Sequence, residues 1–272
     1  MRVDAAGQGT AVPDYHMHTR FSDGEGEMAA YVERAIALGL PEMGFSDHLV
    51  PPGYDQDGYG IGLARLEEYV SAVLDVRRRY PEMPVLLGVE VDDVPGTEAE
   101  MADALTQYPF DYVLGAVHFI DGVAFDEEER RGSEGGGEVN DVYRAYYKLL
   151  RRAVVSGRYT VIAHFDLPKK FGYRPSEAMT PYEDDALRAI AEAGTAIEVN
   201  TSGLYSHPVR EMYPSRDILE RAQRFGVPLT FGSDAHRPAD VGSHAGSAVT
   251  LARRAGYSAY LRLSDRREVA LP

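Results

Sequence analysis

No cysteine occurs among the 272 residues. Disulfides and thiolate metal sites are therefore excluded, and any bound metal must rest on His, Asp or Glu. No apolar run approaches the roughly 18 residues that a membrane helix needs. The opening stretch MRVDAAGQGTAVPD has no apolar segment of signal-peptide type. Residues 1–13 are expected to form a short tail, and the expected location is cytoplasmic. Long Lys/Arg runs are also missing, while the formal charge is −15. Such a chain repels nucleic acid, so no nucleic-acid or membrane partner is expected. An acidic protein that acts on an anion needs a local positive centre, which bound metal ions can supply.

What is present is a rhythm of short apolar runs and amphipathic segments. The runs expected to form strands are Ala11 to Tyr15, Met43 to Ser46, Val85 to Val89, Tyr112 to Val117, Val161 to Ala163, Ala196 to Val199 and Leu229 to Gly232. Between them, Leu63 to Tyr80 carries Leu66, Tyr69, Val70, Val73 and Leu74 at helical spacing. Val139 to Val155, Pro181 to Ala193 and Ser215 to Phe225 read the same way, with Thr180 as the expected N-cap before Pro181. Strands separated by helices imply parallel βα units, hence a barrel or a doubly wound sheet. The absence of a glycine-rich dinucleotide fingerprint after the first strand disfavours the second. The polar, glycine-rich stretch Asp126 to Glu138 is expected to be a mobile loop. The run from Tyr260 to Leu271 is expected to be a closing hairpin, and no internal repeat is visible.

The chemistry lies at the strand ends. His16 and His18 end the first expected strand, His48 the second, Glu90 the third, His118 the fourth, His164 the fifth, and Asp234 with His236 the seventh. In a parallel barrel that is the face on which active sites are built. In an extended chain, residues two apart point to one side, which pairs His16 with His18 and Asp234 with His236. Asp23, in FSDG on the first connecting loop, can reach back to the cluster or serve as a turn residue beside Gly24. Asp47 can be a ligand or can orient His48. A single histidine at a strand end is ordinarily structural, but six of eight on one face is not. His207 and His244 lie in loops and read as ordinary loop residues. Zinc usually takes about four ligands. Six imidazoles and three carboxylates therefore fit two or three divalent ions, with Zn, Mn or Fe suited to the donors. Such a centre attracts a phosphate monoester dianion.

The motifs HMHTRFSDG, FSDH, LLGVEVD, LGAVHFIDG, IAHFDLPKKFG, EVNTSGL, EMYPS and FGSDAHRPADVG together resemble the PHP (polymerase and histidinol phosphatase) family of metal-dependent phosphoesterases. GAVHFIDG, EVNTSG and REMYPS resemble its histidinol-phosphate phosphatase branch. The likeness runs from about Asp14 to Gly246. It implies a distorted (β/α)7 TIM-like barrel, here a single domain over residues 14–272. It also implies a trinuclear metal cluster held by His16, His18, Asp23, His48, Glu90, His118, His164, Asp234 and His236, with Glu90 bridging two ions. The implied activity is that of a phosphoric monoester hydrolase converting L-histidinol phosphate to L-histidinol and phosphate in histidine biosynthesis, with metal-activated water as nucleophile. Asp234, His236 and Glu90 are the expected catalytic residues. Asn200, Ser202, Tyr205, Arg210, Glu211 and Tyr213 are the expected substrate contacts. Many relatives carry a basic residue soon after NTSG, where this chain has Tyr205, and Arg210 stands ready to take that role. The alternative substrate is another small phosphate ester or a nucleotide.

Overall fold

A computed structural model describes residues 11–54, 59–125 and 136–272. The expected loop at Asp126 to Glu138 lies largely outside these residues, as does most of the expected N-terminal tail. The strands are β1 (Met43–Phe45), β2 (His48–Leu49), β3 (Val85–Leu87), β4 (Glu90–Asp92), β5 (Leu114–Ala116), β6 (Phe119–Ile120), β7 (Val123–Ala124), β8 (Val161–Ile162), β9 (Ala196–Asn200), β10 (Leu229–Gly232), β11 (Ala259–Arg262) and β12 (Arg267–Ala270). The helices are α1 (Met28–Leu38), α2 (Leu66–Arg79), α3 (Glu98–Gln107), α4 (Gly136–Val155), α5 (Thr180–Ala193), α6 (Ser202–Tyr205), α7 (Arg216–Arg224) and α8 (Ala245–Arg254). Among the described residues no helix is long and apolar enough to cross a membrane.

Six strands form a parallel sheet in the order β10-β9-β8-β5-β4-β2, and β1 pairs in parallel with β3. The two ladders run on from one another: Gly88 N donates to Phe45 O at 2.9 Å and Glu90 N to Asp47 O at 3.1 Å. The expected first strand takes a different form. Pro13 has no N–H to give to a ladder, and the chain pairs one step later, through single bridges from Asp14 to Met43 and from Met17 to Ala235. On one side Tyr15 N donates to Phe231 O and His18 N to Ala235 O. On the other, Gly44 N donates to Asp14 O and Ser46 N to Met17 O. Residues 14–18 thus stand between β10 and β1 and link the two ends of the sheet. This seventh segment is irregular, held by single bridges and not by a continuous ladder.

Strand alternation sorts the side chains. Val85, Leu87, Val91, Val113, Ile162, Ile197 and Val199 belong to the large apolar cluster with the helices. The alternate residues Leu86, Leu114, Ala116, Val161, Ala163 and Ala196 form a second cluster with Tyr15, Tyr112 and Leu263. Further along the same strands, the inward positions turn polar at Glu90, Asp92, Glu198 and Asn200. The interior therefore has an apolar floor and a polar mouth. The expected closing hairpin is present as antiparallel β11 and β12. It supplies Leu263 to the floor, where Leu263 N donates to Tyr15 Oη at 3.0 Å.

The helices follow their apolar spacing. α1 buries Met28, Tyr31, Val32 and Ala35 and ends at Gly39, whose φ of 69° suits glycine. α5 begins one residue earlier than expected. Thr180 is its first helical residue, and Met179 occupies the N-cap without a side-chain bond. Pro181 still falls where a helix tolerates it, since the first turn has no partner for its N–H.

The floor depends on one ring. Tyr112 Oη donates toward Tyr15 O at 2.7 Å and Phe45 O at 3.1 Å. Its ring lies where a Cβ on Gly88 would stand, 2.1 Å from the Cζ atom. Gly88→Ala is expected to destabilise the fold by about 1–3 kcal/mol, the cost of overpacking a filled core. Urea unfolding measures this, and an unchanged midpoint would mean that the ring has room to move.

Candidate metal centre

At the polar mouth the structure brings together all nine expected metal-binding residues. Among the described residues four groups could each hold a metal ion: His18, Asp23, His48 and His236; His16, Glu90 and His164; His16, His18 and Asp234; and His48, Glu90 and His118. Within each group the donor atoms lie within 4.8 Å of one another. Glu90, 0% exposed, stands at the middle. Its Oε2 lies 3.0 Å from His48 Nδ1, 3.2 Å from His16 Nε2 and 3.5 Å from His18 Nε2, and its Oε1 lies 2.9 Å from His164 Nε2. Asp234 Oδ1 lies 3.2 Å from His18 Nε2 and 3.6 Å from His16 Nε2. His236 and Asp23, with side chains 38% and 33% exposed, meet at 3.2 Å on the rim.

The electrostatics favour a cation here. Burial opposes the charged form of Glu90, but His16 and His48 outweigh it and hold the carboxyl well below its ordinary range. Asp234 is likewise held low against burial by His16 and His18. Burial alone would lower His16, yet Glu198, Glu90 and Asp234 keep it well above an ordinary histidine. His48 goes the other way, to about 3, because burial dominates. Charged carboxylates are thus buried from the surface, which is costly unless positive charge faces them. His16 Nε2, both ring nitrogens of His18 and Glu90 Oε2 are buried and make no well-aligned hydrogen bond. Such atoms in a native interior call for a partner. Nitrogen and carboxylate donors at this separation fit divalent ions.

A second ring of residues aims the donors. His16 Nδ1 lies 2.8 Å from Glu198 Oε1. Glu198 Oε2 accepts from His164 N at 3.1 Å and from Asn200 Nδ2 at 3.0 Å. Asp92 bonds Nδ1 of His118, leaving Nε2 to face the cluster. Asp47 is not among the metal groups. It accepts from Thr19 N at 2.7 Å and Ser22 N at 3.1 Å, so it holds the loop that presents Asp23. Tyr59 Oη lies 3.1 Å from His118 Nδ1 and 3.3 Å from His48 Nδ1. Glu198, Asp92 and Tyr59 were not legible as site residues from motif spacing. For the two carboxylates the alternation that placed Glu90 and Asn200 was a usable signal, since Asp92 and Glu198 lie two residues away on the same inward face.

The six expected substrate contacts fall into two sets. Asn200 Nδ2 and Ser202 Oγ approach Asp234 Oδ2 at 3.3 Å and 3.0 Å, and Tyr205 Oη donates to Ser233 O at 2.7 Å. These three brace the turn that carries Asp234. Tyr213 is buried with its hydroxyl 2.9 Å from His207 Nδ1. Arg210 and Glu211 are exposed. Arg210 donates to Tyr205 O at 3.2 Å, and Glu211 Oε1 accepts from Arg174 at 2.6 Å. His244 joins no metal group among the described residues; it stands at the N-cap position of α8 without a side-chain bond to the helix and stacks on Tyr205 with ring centroids 6.1 Å apart.

Gly232 makes the His16–Glu198 contact possible. A Cβ there would stand 1.8 Å from Glu198 Oε1 and 2.6 Å from the His16 Cβ. Gly232→Ala is expected to displace Glu198 and weaken metal affinity by about ten- to a hundredfold, the range for lost support of a ligand. Competition against a chelator of known affinity measures it, with circular dichroism to check the fold. Wild-type affinity in the variant would remove Glu198 from the support of His16. Glu90→Gln is expected to lose at least one ion per chain by elemental analysis with little change in secondary structure.

Comparison with known proteins agrees with this arrangement. The chain matches the family described as PHP domain over residues 14–202, and the one described as PHP-associated over residues 216–251. A Deinococcus radiodurans protein named "Probable histidinol-phosphatase" is 34% identical over 91% of this chain and 95% of its own. A Bacillus subtilis protein named histidinol-phosphatase is 29% identical over 84% of this chain and 95% of its own. The solved structure of histidinol phosphate phosphatase from Lactococcus lactis, complexed with zinc, L-histidinol and phosphate, superposes with a TM-score of 0.75 at 24% identity. That match covers 93% of this chain and 98% of the other.

Proposed function

The chain belongs to the PHP family, and from that membership and the geometry of its polar mouth we propose that it is a metal-dependent phosphatase that hydrolyses L-histidinol phosphate to L-histidinol and phosphate. The observation that carries the reading is the convergence of nine imidazole and carboxylate side chains in four overlapping groups at the strand ends. The relatives named histidinol-phosphatase, similar along most of this chain, support the choice of substrate.

Two to three divalent ions, zinc, manganese or iron, are proposed, with His16, His18, Asp23, His48, Glu90, His118, His164, Asp234 and His236 holding them. Bound there, they supply positive charge for phosphate oxygens and acidify water enough for attack near neutral pH. The protein's part is to place and balance that charge. Glu90 belongs to two of the groups, where its charge would lower the repulsion between neighbouring cations. Asp234 presents Oδ1 to His16 and His18, while Asn200 and Ser202 approach its Oδ2. The solvent-facing members are His236 and Asp23, so substrate approaches on their side. No side chain is assigned as a covalent nucleophile.

Metal ions recognise phosphate in any monoester, so selectivity must come from side chains near the leaving group. The segment after β9 lies at the mouth and carries exposed Glu211, whose carboxylate suits the cationic end of histidinol phosphate. Elemental analysis is expected to give two to three ions per chain, with chelation abolishing turnover and Mn or Zn restoring it. Turnover on histidinol phosphate should exceed that on nucleotides and on p-nitrophenyl phosphate. Glu211→Ala should reduce kcat/KM for histidinol phosphate by about 1–3 kcal/mol, the size of a charged hydrogen bond, and leave the aryl ester nearly untouched. A wild-type enzyme without preference for histidinol phosphate would overturn the substrate, and fewer than one ion per active chain would overturn the metal centre.

A further inference from the structure

Lys169 is 1% exposed, an unusual place for an ammonium group. It lies in the short 3-10 turn Leu167–Lys169, which follows β8 and the cluster residue His164. Its Nζ lies 2.7 Å from Asp166 Oδ2, 2.7 Å from Met212 O and 3.7 Å from Glu211 Oε2, and it sits 5.1 Å from the centre of the Tyr213 ring. An ammonium has three protons. Here two oxygens lie within hydrogen-bond distance and Glu211 adds a longer ion pair, so this group is placed to hold the chain rather than to touch substrate.

What it holds is the segment after β9. Asp166 Oδ2 also accepts from Ser215 N at 2.9 Å, and Val209 N donates to Lys170 O at 3.1 Å. The turn after β8 therefore grips residues 209–215 at three points. The segment's other edge is pinned by Asn200 N to Tyr213 O at 2.7 Å and Tyr213 N to Asn200 O at 2.9 Å. Removing an ammonium from water is costly, and an apolar residue would fill the space without that cost. The gain from the charge is directional: it fixes the Met212 carbonyl and pairs with Glu211.

We propose that Lys169, paired with Asp166, is a positioning residue for substrate selectivity, which sets the 209–213 segment and its Glu211 carboxylate over the metal centre. This rests on the histidinol-phosphate reading above. The metal-loaded holoenzyme of Lys169→Met and of Asp166→Asn provides the test, with the second variant keeping an acceptor for Ser215 N. In both, KM for histidinol phosphate should rise, by about tenfold or more in Lys169→Met, with kcat within about threefold of wild type. Turnover of p-nitrophenyl phosphate and metal content should stay at wild-type values. Amide hydrogen exchange should quicken in peptides covering residues 203–215 and stay unchanged elsewhere at the mouth. Unchanged exchange and KM in both variants would overturn the proposal, and so would equal losses on both substrates. Faster exchange confined to 203–215 with no change in KM would also overturn the selectivity role, whereas a wild-type enzyme without preference for histidinol phosphate would remove the reading on which it rests.

Discussion

Glu90 has no contact with solvent and lies among four imidazoles, and most of the structure can be traced to keeping that carboxylate charged where no water reaches it. A buried charge is tolerated only when opposite charge and hydrogen bonds surround it closely. The imidazoles come from three separate segments of the chain, His16 and His18 from one and His48 and His164 from two others, so each segment must be delivered at the same height, to within about 3.5 Å. Parallel strands in register do this, because neighbouring ends finish on the same face. The pairing of His48 with Glu90, and of Glu90 with Leu114, is the register that this requires.

The same alternation that serves the mouth also serves the floor, and the two make opposite demands on side-chain size. At the floor, Ala116, Ala163 and Ala196 leave room for the rings of Tyr15 and Tyr112. At the mouth, Gly232 leaves room for Glu198 to reach His16. Glu42 ties the floor to the C-terminal hairpin: it accepts from the Tyr15 hydroxyl, and its Oε2 accepts from Ser264 Oγ at 2.6 Å. The barrel is therefore closed beneath by hydrogen-bonded tyrosine and carboxylate, and its chemistry is confined to one end.

How much of this was legible beforehand follows from what kind of signal each feature leaves. The strand-end histidines were legible because their position follows from period-2 geometry and from the face on which parallel barrels build sites. Six of the seven expected strands appear near their expected ranges, since a β-branched run between turn signals has few other uses. The first did not become a regular strand: Pro13, which has no N–H, interrupts it, and only single bridges remain. Spacing alone does not show which way the polar atoms of Asn200 and Ser202 point. Both lie at the mouth, but their polar atoms are turned onto Asp234, a direction that depends on the backbone of another strand. Lys169 left no signal, since a lysine in a polar loop is ordinarily solvated, and only tertiary packing buries it.

The backbone itself departs from local preference at two cluster residues. His164 has φ of 23° and Asp234 of 56°, values that side-chain-bearing residues seldom adopt. Each such departure costs on the order of 1–3 kcal/mol and persists only where surrounding bonds over-determine it. Those bonds are present. His164 N donates to Glu198 Oε2, and its carbonyl accepts from the Tyr146 hydroxyl at 3.2 Å. Asp234 is approached by Asn200, Ser202 and Tyr205. The strain falls at positions where a strand must turn sharply to aim one side chain at the cluster while the next enters a helix or turn. A relaxed backbone there would point the imidazole or the carboxylate elsewhere. Glu198 reaches two members of the cluster, through His16 Nδ1 and through the His164 amide, so one carboxylate behind the cluster helps to orient both. Hydrogen bonds from the protein itself thus aim these donors at one another at the strand ends.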